Sequence, residues 1–224
     1  DLILFWAGNP IYTQIPQAHF FTEAKYRGAK IISICPDFNA SATKADLWIP
    51  IKPGTDGALA MGVVHLLIKE GKVNADFVRE QTDLVMLVRD DTQKFLTEAD
   101  LKEGGKADQF FVVDETTGQV AAAPWRTLDL AGLTPALDSK ATVTLRDGKK
   151  VAVRTVYNKL IERAAEYTPE AVAKTCGIKP GLVRRLAKEI GAAKRMRNIT
   201  QSTHSKLYHG NLMTRAQILM FALT

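Results

Sequence analysis

The sequence predicts an α/β fold: a doubly wound, mainly parallel, Rossmann-like sheet carrying an inserted antiparallel β excursion. Three observations carry that expectation. Leu2-Ile3-Leu4-Phe5-Trp6 and Lys30-Ile31-Ile32-Ser33-Ile34-Cys35 are short, nearly continuous apolar runs separated by one helical stretch. A half-exposed strand would alternate polar with apolar residues, so such runs read as parallel strands covered on both faces, a βαβ unit. Leu47-Trp48-Ile49-Pro50-Ile51 supplies a third run, and between Asp90 and about Arg154 the pattern changes to short β-prone runs flanking turn residues.

Taken in order, strand one ends in Ala7-Gly8-Asn9-Pro10, and an amphipathic helix is expected from about Gln17 to Arg27. After the third strand, Gly57 to Ile68 reads as a largely buried helix with Thr55 as its N-cap and Gly71 as its stop. Asn74 or Asp76 caps a shorter helix, and Leu84 to Val88 reads as a further apolar strand. Two hairpins follow. Phe110–Val113 and Gln119–Ala121 flank Thr116-Thr117-Gly118, while Thr142–Leu145 and Val151–Val153 flank Arg146-Asp147-Gly148-Lys149, an Asp-Gly turn. Helical periodicity returns over Val156 to Tyr167. Thr168 then caps a helix opened by Pro169, where a missing N–H costs nothing, and a third helix spans about Pro180 to Ala193. Arg197 to Gln201 is a short strand, Ser202 to Gly210 a polar loop, and Asn211 to Thr224 a helix apolar on most faces and expected to be buried. The domain expectation is therefore 1–90 for the first part of the α/β domain, 91–154 for the insertion and 155–224 for a helical return. Because the chain opens inside a strand pattern and closes inside a helix pattern, it reads as the central piece of a longer one.

Composition narrows the function classes. At 46% apolar and 24% charged, the 224 residues are ordinary globular material. A net charge of +6 permits an anionic ligand, but the basic residues are scattered and the cluster Lys194 to Arg197 reads as a solvated helix end, so nucleic acid is not expected as a partner. Cys35 and Cys176 have no C-x-x-C spacing, which excludes an iron–sulfur cluster or structural zinc site within these residues. No metal-ligating residue is assigned. No apolar run reaches the roughly 20 residues that span a bilayer.

In doubly wound sheets ligands sit outside the carboxyl ends of the strands, so chemistry is sought just after each one. Gly8 and Asn9 can bring a backbone N–H and an amide to a phosphate, or form only a turn. Asp37, beside Pro36 and Asn39, can accept from ribose hydroxyls or join Asn39 in a local turn. Asp56, after Gly54-Thr55, can take the ring N–H and amino group of guanine, or interact with a helix dipole as a first-turn carboxylate. His204, Lys206 and His209 occupy the polar loop between a strand and a helix, where Lys206 can hold a developing anion; taken singly, each reads first as an exposed loop residue. His19 and His65 lie within helical patterns and read as surface or core residues.

Read together, Phe5-Trp6-Ala7-Gly8-Asn9-Pro10, Glu23 to Lys30, Cys35-Pro36-Asp37-Phe38-Asn39, Ala45 to Pro50, Pro53-Gly54-Thr55-Asp56-Gly57-Ala58-Leu59, Asp76 to Leu84 and Lys206 to Leu212 with Arg215-Ala216 resemble the molybdopterin oxidoreductase (DMSO reductase) family. The resemblance spans nearly the whole chain, and its ordered series is specific where no single motif would be. The nearest branch contains the catalytic alpha subunits of ethylbenzene dehydrogenase, dimethyl sulfide dehydrogenase, and selenate and chlorate reductases. It implies molybdenum held by two molybdopterin guanine dinucleotides, with Gly8 and Asn9 by the phosphates of one, Asp37 by its ribose and Asp56 by its guanine. Lys206 matches a lysine of the active site in the hydrocarbon-oxidising members, with His204 and His209 beside it. It also implies a 4Fe–4S cluster and a molybdenum-ligating aspartate elsewhere in the subunit, so this piece alone is expected neither to bind metal nor to turn over. Further implied are a small-molecule substrate, two-electron hydroxylation or oxygen-atom transfer, an iron–sulfur electron-transfer subunit with a haem subunit as a further candidate, anaerobic respiration, and a periplasmic rather than cytoplasmic setting. Ala7 stands where relatives often have Gly. Two rival readings share the scaffold: a respiratory nitrate reductase or nitrite oxidoreductase alpha subunit, and a Rossmann-like NAD- or GTP-binding module without molybdenum.

Overall fold

A computed structural model describes residues 1–124 and 127–224. Its elements are, in order, β1 (Leu2–Trp6), α1 (Pro10–Thr13), α2 (Ile15–Tyr26), β2 (Lys30–Ile34), β3 (Leu47–Ile49), α3 (Asp56–Lys69), α4 (Ala75–Gln81), β4 (Leu87–Arg89), α5 (Glu98–Leu101), β5 (Phe111–Val113), β6 (Val120–Ala122), β7 (Lys140–Thr144), β8 (Lys150–Thr155), α6 (Val156–Ala164), α7 (Pro169–Cys176), α8 (Pro180–Ala192), β9 (Met196–Thr200) and α9 (Gly210–Ala222). The chain forms two compact units, residues 1–72 with 164–222 and 224, and residues 73–163 with 223. The expected insertion at 91–154 lies inside the second.

The first unit is the α/β frame. Its sheet has the order β3-β2-β1-β9, and every pairing is parallel. β1 is therefore an inner strand, paired to β2 from Leu2 against Lys30 and to β9 from Leu2 against Met196. Leu4, Phe5, Trp6, Ile31, Ile32 and Ile34 are buried, as their unbroken apolar runs require. On one face Phe5 and Ile31 pack with Phe21 of α2, the two phenyl rings meeting edge-on with centroids 5.0 Å apart. On the other, Asn198 of β9 donates to Gln217 of α9, and α3 packs against α7, α8 and α9.

Local chemistry sets most boundaries. Thr168 accepts from the Ala171 N–H and Pro169 opens α7, which Gly177 ends in the left-handed conformation. Asn74, rather than Asp76, caps α4 by accepting from the Phe77 N–H. Thr55 occupies the N-cap position of α3, but its hydroxyl donates to the Lys52 carbonyl at 2.7 Å and does not cap the helix. The turn before α3 folds back on itself and claims that hydroxyl first.

Three expectations are corrected. Leu84 to Val88 is not one strand: Asp83–Val85 is a 3-10 turn, and only Leu87–Arg89 pairs, antiparallel to β8. Helix α2 is not amphipathic in the expected sense, since Phe21 is its one buried residue while Ile15, Phe20 and Tyr26 are exposed. Helix α9 is only partly buried, through Met213, Gln217 and Met220, and leaves Leu212 and Ile218 exposed.

In the second unit β4-β8-β7 form an antiparallel sheet and β5-β6 a separate hairpin. Leu87, Leu96, Val113, Val143, Val151 and Val153 build its core. Gly148, at φ +81°, supplies the left-handed residue of the β7–β8 turn. No helix among the described residues is long and apolar enough to cross a membrane.

Candidate functional site

The four parallel strands of the first unit release their chains at one end of the sheet, and the segments that follow enclose a crevice of about 320 Å³. Ala7, Gly8 and Asn9 follow β1; Cys35, Pro36, Asp37 and Asn39 follow β2; Ile51, Pro53 and Asp56 follow β3; Gln201, Thr203 and Leu207 follow β9. Of the cofactor-site residues expected from sequence, the structure thus gathers Gly8, Asn9, Pro36, Asp37, Asn39 and Asp56 into one lining. Gly54 and Thr55 belong to the turn that delivers Asp56 without lining the crevice themselves. That turn is braced from α7, where the Cys176 carbonyl accepts from the Lys52 N–H at 2.9 Å and the Cys176 thiol donates to the Thr55 carbonyl at 3.5 Å.

Each lining residue is held differently. Asn9 Oδ1 accepts from both the N–H and the hydroxyl of Ser41, at 3.2 and 2.7 Å, and its amide nitrogen has no partner among the described residues. The Asn9 N–H donates to Gln201 Oε1 at 3.3 Å. A Cβ on Gly8 would lie 3.0 Å from the Gln201 side chain, so glycine here admits Gln201 to the loop. The expected opening toward a phosphate is filled on that side. Ala7 holds φ at +55°, a left-handed backbone unfavourable for a residue with a Cβ.

After β2, Asn39 closes the local turn by accepting from the N–H groups of Ser41 and Ala42 at 3.0 and 3.1 Å. Asp37 does not share in that turn through its side chain. It is exposed, and its carboxylate has no hydrogen bond or ion pair among the described residues. Cys35 is buried and donates to the Asp37 carbonyl at 3.1 Å. Burial pushes this thiol up from its ordinary range, and the Asp37 charge adds to that against a hydrogen bond with Ser33, so it is a neutral donor and no nucleophile at neutral pH.

Asp56 departs most from expectation. It is the first residue of α3, favourably placed at the positive end of the helix, yet only 4% exposed. Its Oδ1 accepts from the Trp6 indole N–H at 2.8 Å and lies 3.3 Å from His204 Nε2. Oδ2 accepts no hydrogen bond among the described residues. The carboxylate is thus not the open two-oxygen acceptor pictured from sequence, because one oxygen is already engaged.

The polar loop expected to carry catalysis divides. His204 is buried beneath the crevice, with Nε2 lacking a hydrogen bond; Lys206 and His209 are exposed and outside the lining. His209 lies against Tyr208, ring centroids 3.9 Å apart. Sequence reasoning missed Trp6, Ser41, Gln201 and Thr203. Gln201 and Thr203 follow a strand exactly as Asn9 and Asp37 do, and a buried indole N–H at a strand end demands a nearby acceptor, so these signals were available. Ser41 gave none. Among the described residues no group of three or more His, Cys, Asp or Glu side chains is placed to hold a metal ion.

Comparison with known proteins agrees with this architecture. Residues 1–218 match the family model described as molybdopterin oxidoreductase. The chain is 40% identical, over 99% of its length, to the perchlorate reductase subunit alpha of Dechloromonas aromatica, covering 27% of that protein. It is likewise 40% identical over its full length to the dimethylsulfide dehydrogenase subunit alpha of Rhodovulum sulfidophilum, covering 25% of it. The chain thus spans about a quarter of the length of these curated relatives. Among solved structures, acetylene hydratase from Pelobacter acetylenicus superposes with a TM-score of 0.60 over 99% of this chain and 21% of its own, at 18% identity, a likeness of fold.

Proposed function

The chain belongs to the molybdopterin oxidoreductase family, and on that premise we propose that its crevice holds the guanosine end of one pterin guanine dinucleotide within the catalytic alpha subunit of a molybdenum oxidoreductase. One observation carries the reading: four strand-end segments converge on a single crevice containing two carboxylates with free acceptor capacity, Asp37 and Oδ2 of Asp56. A volume of about 320 Å³ is of the order small-ligand sites have. Asp37, exposed and unpaired among the described residues, is suited to accept from ribose hydroxyls. Asp56, buried, is suited to accept from the N–H edge of guanine, an edge adenine does not present in the same form. The free amide nitrogen of Asn9 is suited to a phosphate or sugar oxygen.

When bound, the molybdenum that two such dinucleotides hold supplies two-electron redox chemistry. The contribution of these residues is to fix the nucleotide tail and to keep water from the buried carboxylate. For the whole subunit the reading extends to hydroxylation or oxygen-atom transfer on a small substrate, to an iron–sulfur partner subunit with a haem subunit as a further candidate, and to a periplasmic setting. Lys206, exposed and without an ion pair among the described residues, is offered as a substrate-contacting group, with His209 beside it.

Titration of the chain with GDP, ADP and NAD by calorimetry tests the nucleotide reading. GDP binding tighter than ADP is expected, and preference for NAD overturns it. Assay of the intact enzyme against chlorate, nitrate and alkylaromatic substrates, with cell fractionation, tests the wider activity and compartment.

A further inference from the structure

The Trp6–Asp56–His204 cluster joins three distant parts of the chain beneath the crevice. Trp6 is the last residue of β1, Asp56 the first of α3, and His204 opens the 3-10 turn His204–Lys206 after β9. Trp6, Asp56 and His204 are 0%, 4% and 3% exposed. Two nitrogens approach the same carboxylate oxygen: Trp6 Nε1 at 2.8 Å and His204 Nε2 at 3.3 Å, both to Oδ1. The Trp6 contact is a hydrogen bond. His204 Nε2 is buried and has none, so Asp56 is the acceptor within its reach.

A buried nitrogen left without a partner is costly, and its persistence needs a reason. The backbone around His204 indicates that its place is built rather than incidental. A Cβ on Gly210 would fall 1.6 Å from the His204 carbonyl oxygen, so the turn is seated on a position only glycine can fill. The Leu207 N–H donates to that same carbonyl at 3.1 Å.

We propose that His204 is a positioning residue for nucleotide recognition and not a group that touches substrate: with Trp6 it holds Oδ1 of Asp56, fixing the carboxylate so that Oδ2 is the oxygen offered to the base. This rests on the guanosine reading and goes beyond it by naming what sets base specificity. Trp6 acts as the hydrogen-bond donor, and His204, 3.3 Å from the same oxygen without a hydrogen bond to it, confines the carboxylate from the other side. Loss of either lets the carboxylate rotate, and the discrimination between bases falls while contacts to ribose and phosphate persist.

The test measures GDP and ADP affinities of the 224-residue chain by calorimetry and compares their ratio among variants. The ratio cancels any loss of folded protein, which would weaken both ligands alike. Trp6→Phe is expected to lower the GDP:ADP ratio by about tenfold, the scale of one hydrogen bond to a charged group, and His204→Gln, which removes a contact without a hydrogen bond, to lower it about threefold or more. In an Asp56→Asn background His204→Gln is expected to change the ratio no further, because it acts through Asp56. A ratio that stays at the original value in His204→Gln, or falls equally with and without Asp56, overturns this inference alone. Absence of any GDP preference in the unsubstituted chain overturns the guanosine reading and the inference together.

Discussion

Ser41 and Asn9, 32 residues apart in sequence, are joined twice through one oxygen: the Ser41 N–H and hydroxyl both donate to Asn9 Oδ1. The same hydroxyl accepts from the Ile11 N–H at 3.1 Å, so Ser41 ties the loop after β2 to the start of α1. Ser41 is fully buried. Ser41→Ala therefore strands the Ile11 N–H and weakens the grip on Asn9. We expect a loss of about 1–3 kcal/mol in urea unfolding, with GDP affinity reduced in the folded protein.

Ala7 sits at φ +55° at the mouth of the crevice. Glycine tolerates that region without a Cβ penalty, so Ala7→Gly is expected to stabilise the chain by about 0.5–1 kcal/mol, less what glycine adds to unfolded-state entropy. A lower urea midpoint would contradict the strain assigned to this residue.

Gly210 and Gly181 make a contrasting pair. A Cβ at 210 collides with the His204 carbonyl, whereas one at 181 meets nothing within 4 Å. Gly210→Ala is expected to cost about 3 kcal/mol or more, since backbone must move. Gly181→Ala, in the first turn of α8, should be neutral or stabilising by up to about 1 kcal/mol. Urea midpoints of the two variants check this.

Asp37 separates binding from stability. Its exposed carboxylate makes no hydrogen bond or ion pair among the described residues, so Asp37→Ala should leave stability within about 0.5 kcal/mol. On the ribose reading, GDP affinity falls about tenfold.

Stability should fall in acid. Burial opposes ionisation of Asp46 and Asp100, yet the Ile31 N–H and Lys25 at Asp46, and Thr97 and Arg89 at Asp100, hold both carboxyls below the usual range. The Thr117 hydroxyl and backbone N–H groups do the same for Asp114. A depressed folded pKa contributes stability that is complete above the unfolded value, near about 3.9, and lost as pH falls through the folded one. Urea midpoints between pH 6 and 2 should decline on the acid side, and Asp100→Asn should flatten part of that decline.

Much of the frame was legible because its signals are local. Continuous apolar runs mark β1, β2 and β3; Thr168-Pro169 starts α7; Asp147-Gly148 turns β7 into β8. Leu84 to Val88 misled because an apolar run does not say which sheet it joins, and its partner β8 lies some sixty residues on. The strand-end rule pointed to Gly8 and Asn9 after β1, Asp37 after β2 and Asp56 beyond β3, and all four line the crevice. It did not anticipate that Asp56 would be half engaged, because Trp6 lies 50 residues away. Nor does the loop sequence around His204 signal burial: Ser, Thr and Lys neighbours read as solvent-facing, yet the imidazole is buried and the His204 backbone lies tight against Gly210.

The inner position of β1 has a kinetic consequence. Within this chain β1 finds β2 within thirty residues, but its other neighbour, β9, only near residue 196. Contacts of such long range close slowly, so an early β1–β2 pair waits with one apolar edge bare until most of the chain has emerged. Gln201 arrives on that late strand and completes the lining. Nucleotide capture would therefore report the final docking event of refolding, lagging the formation of helix in a stopped-flow experiment.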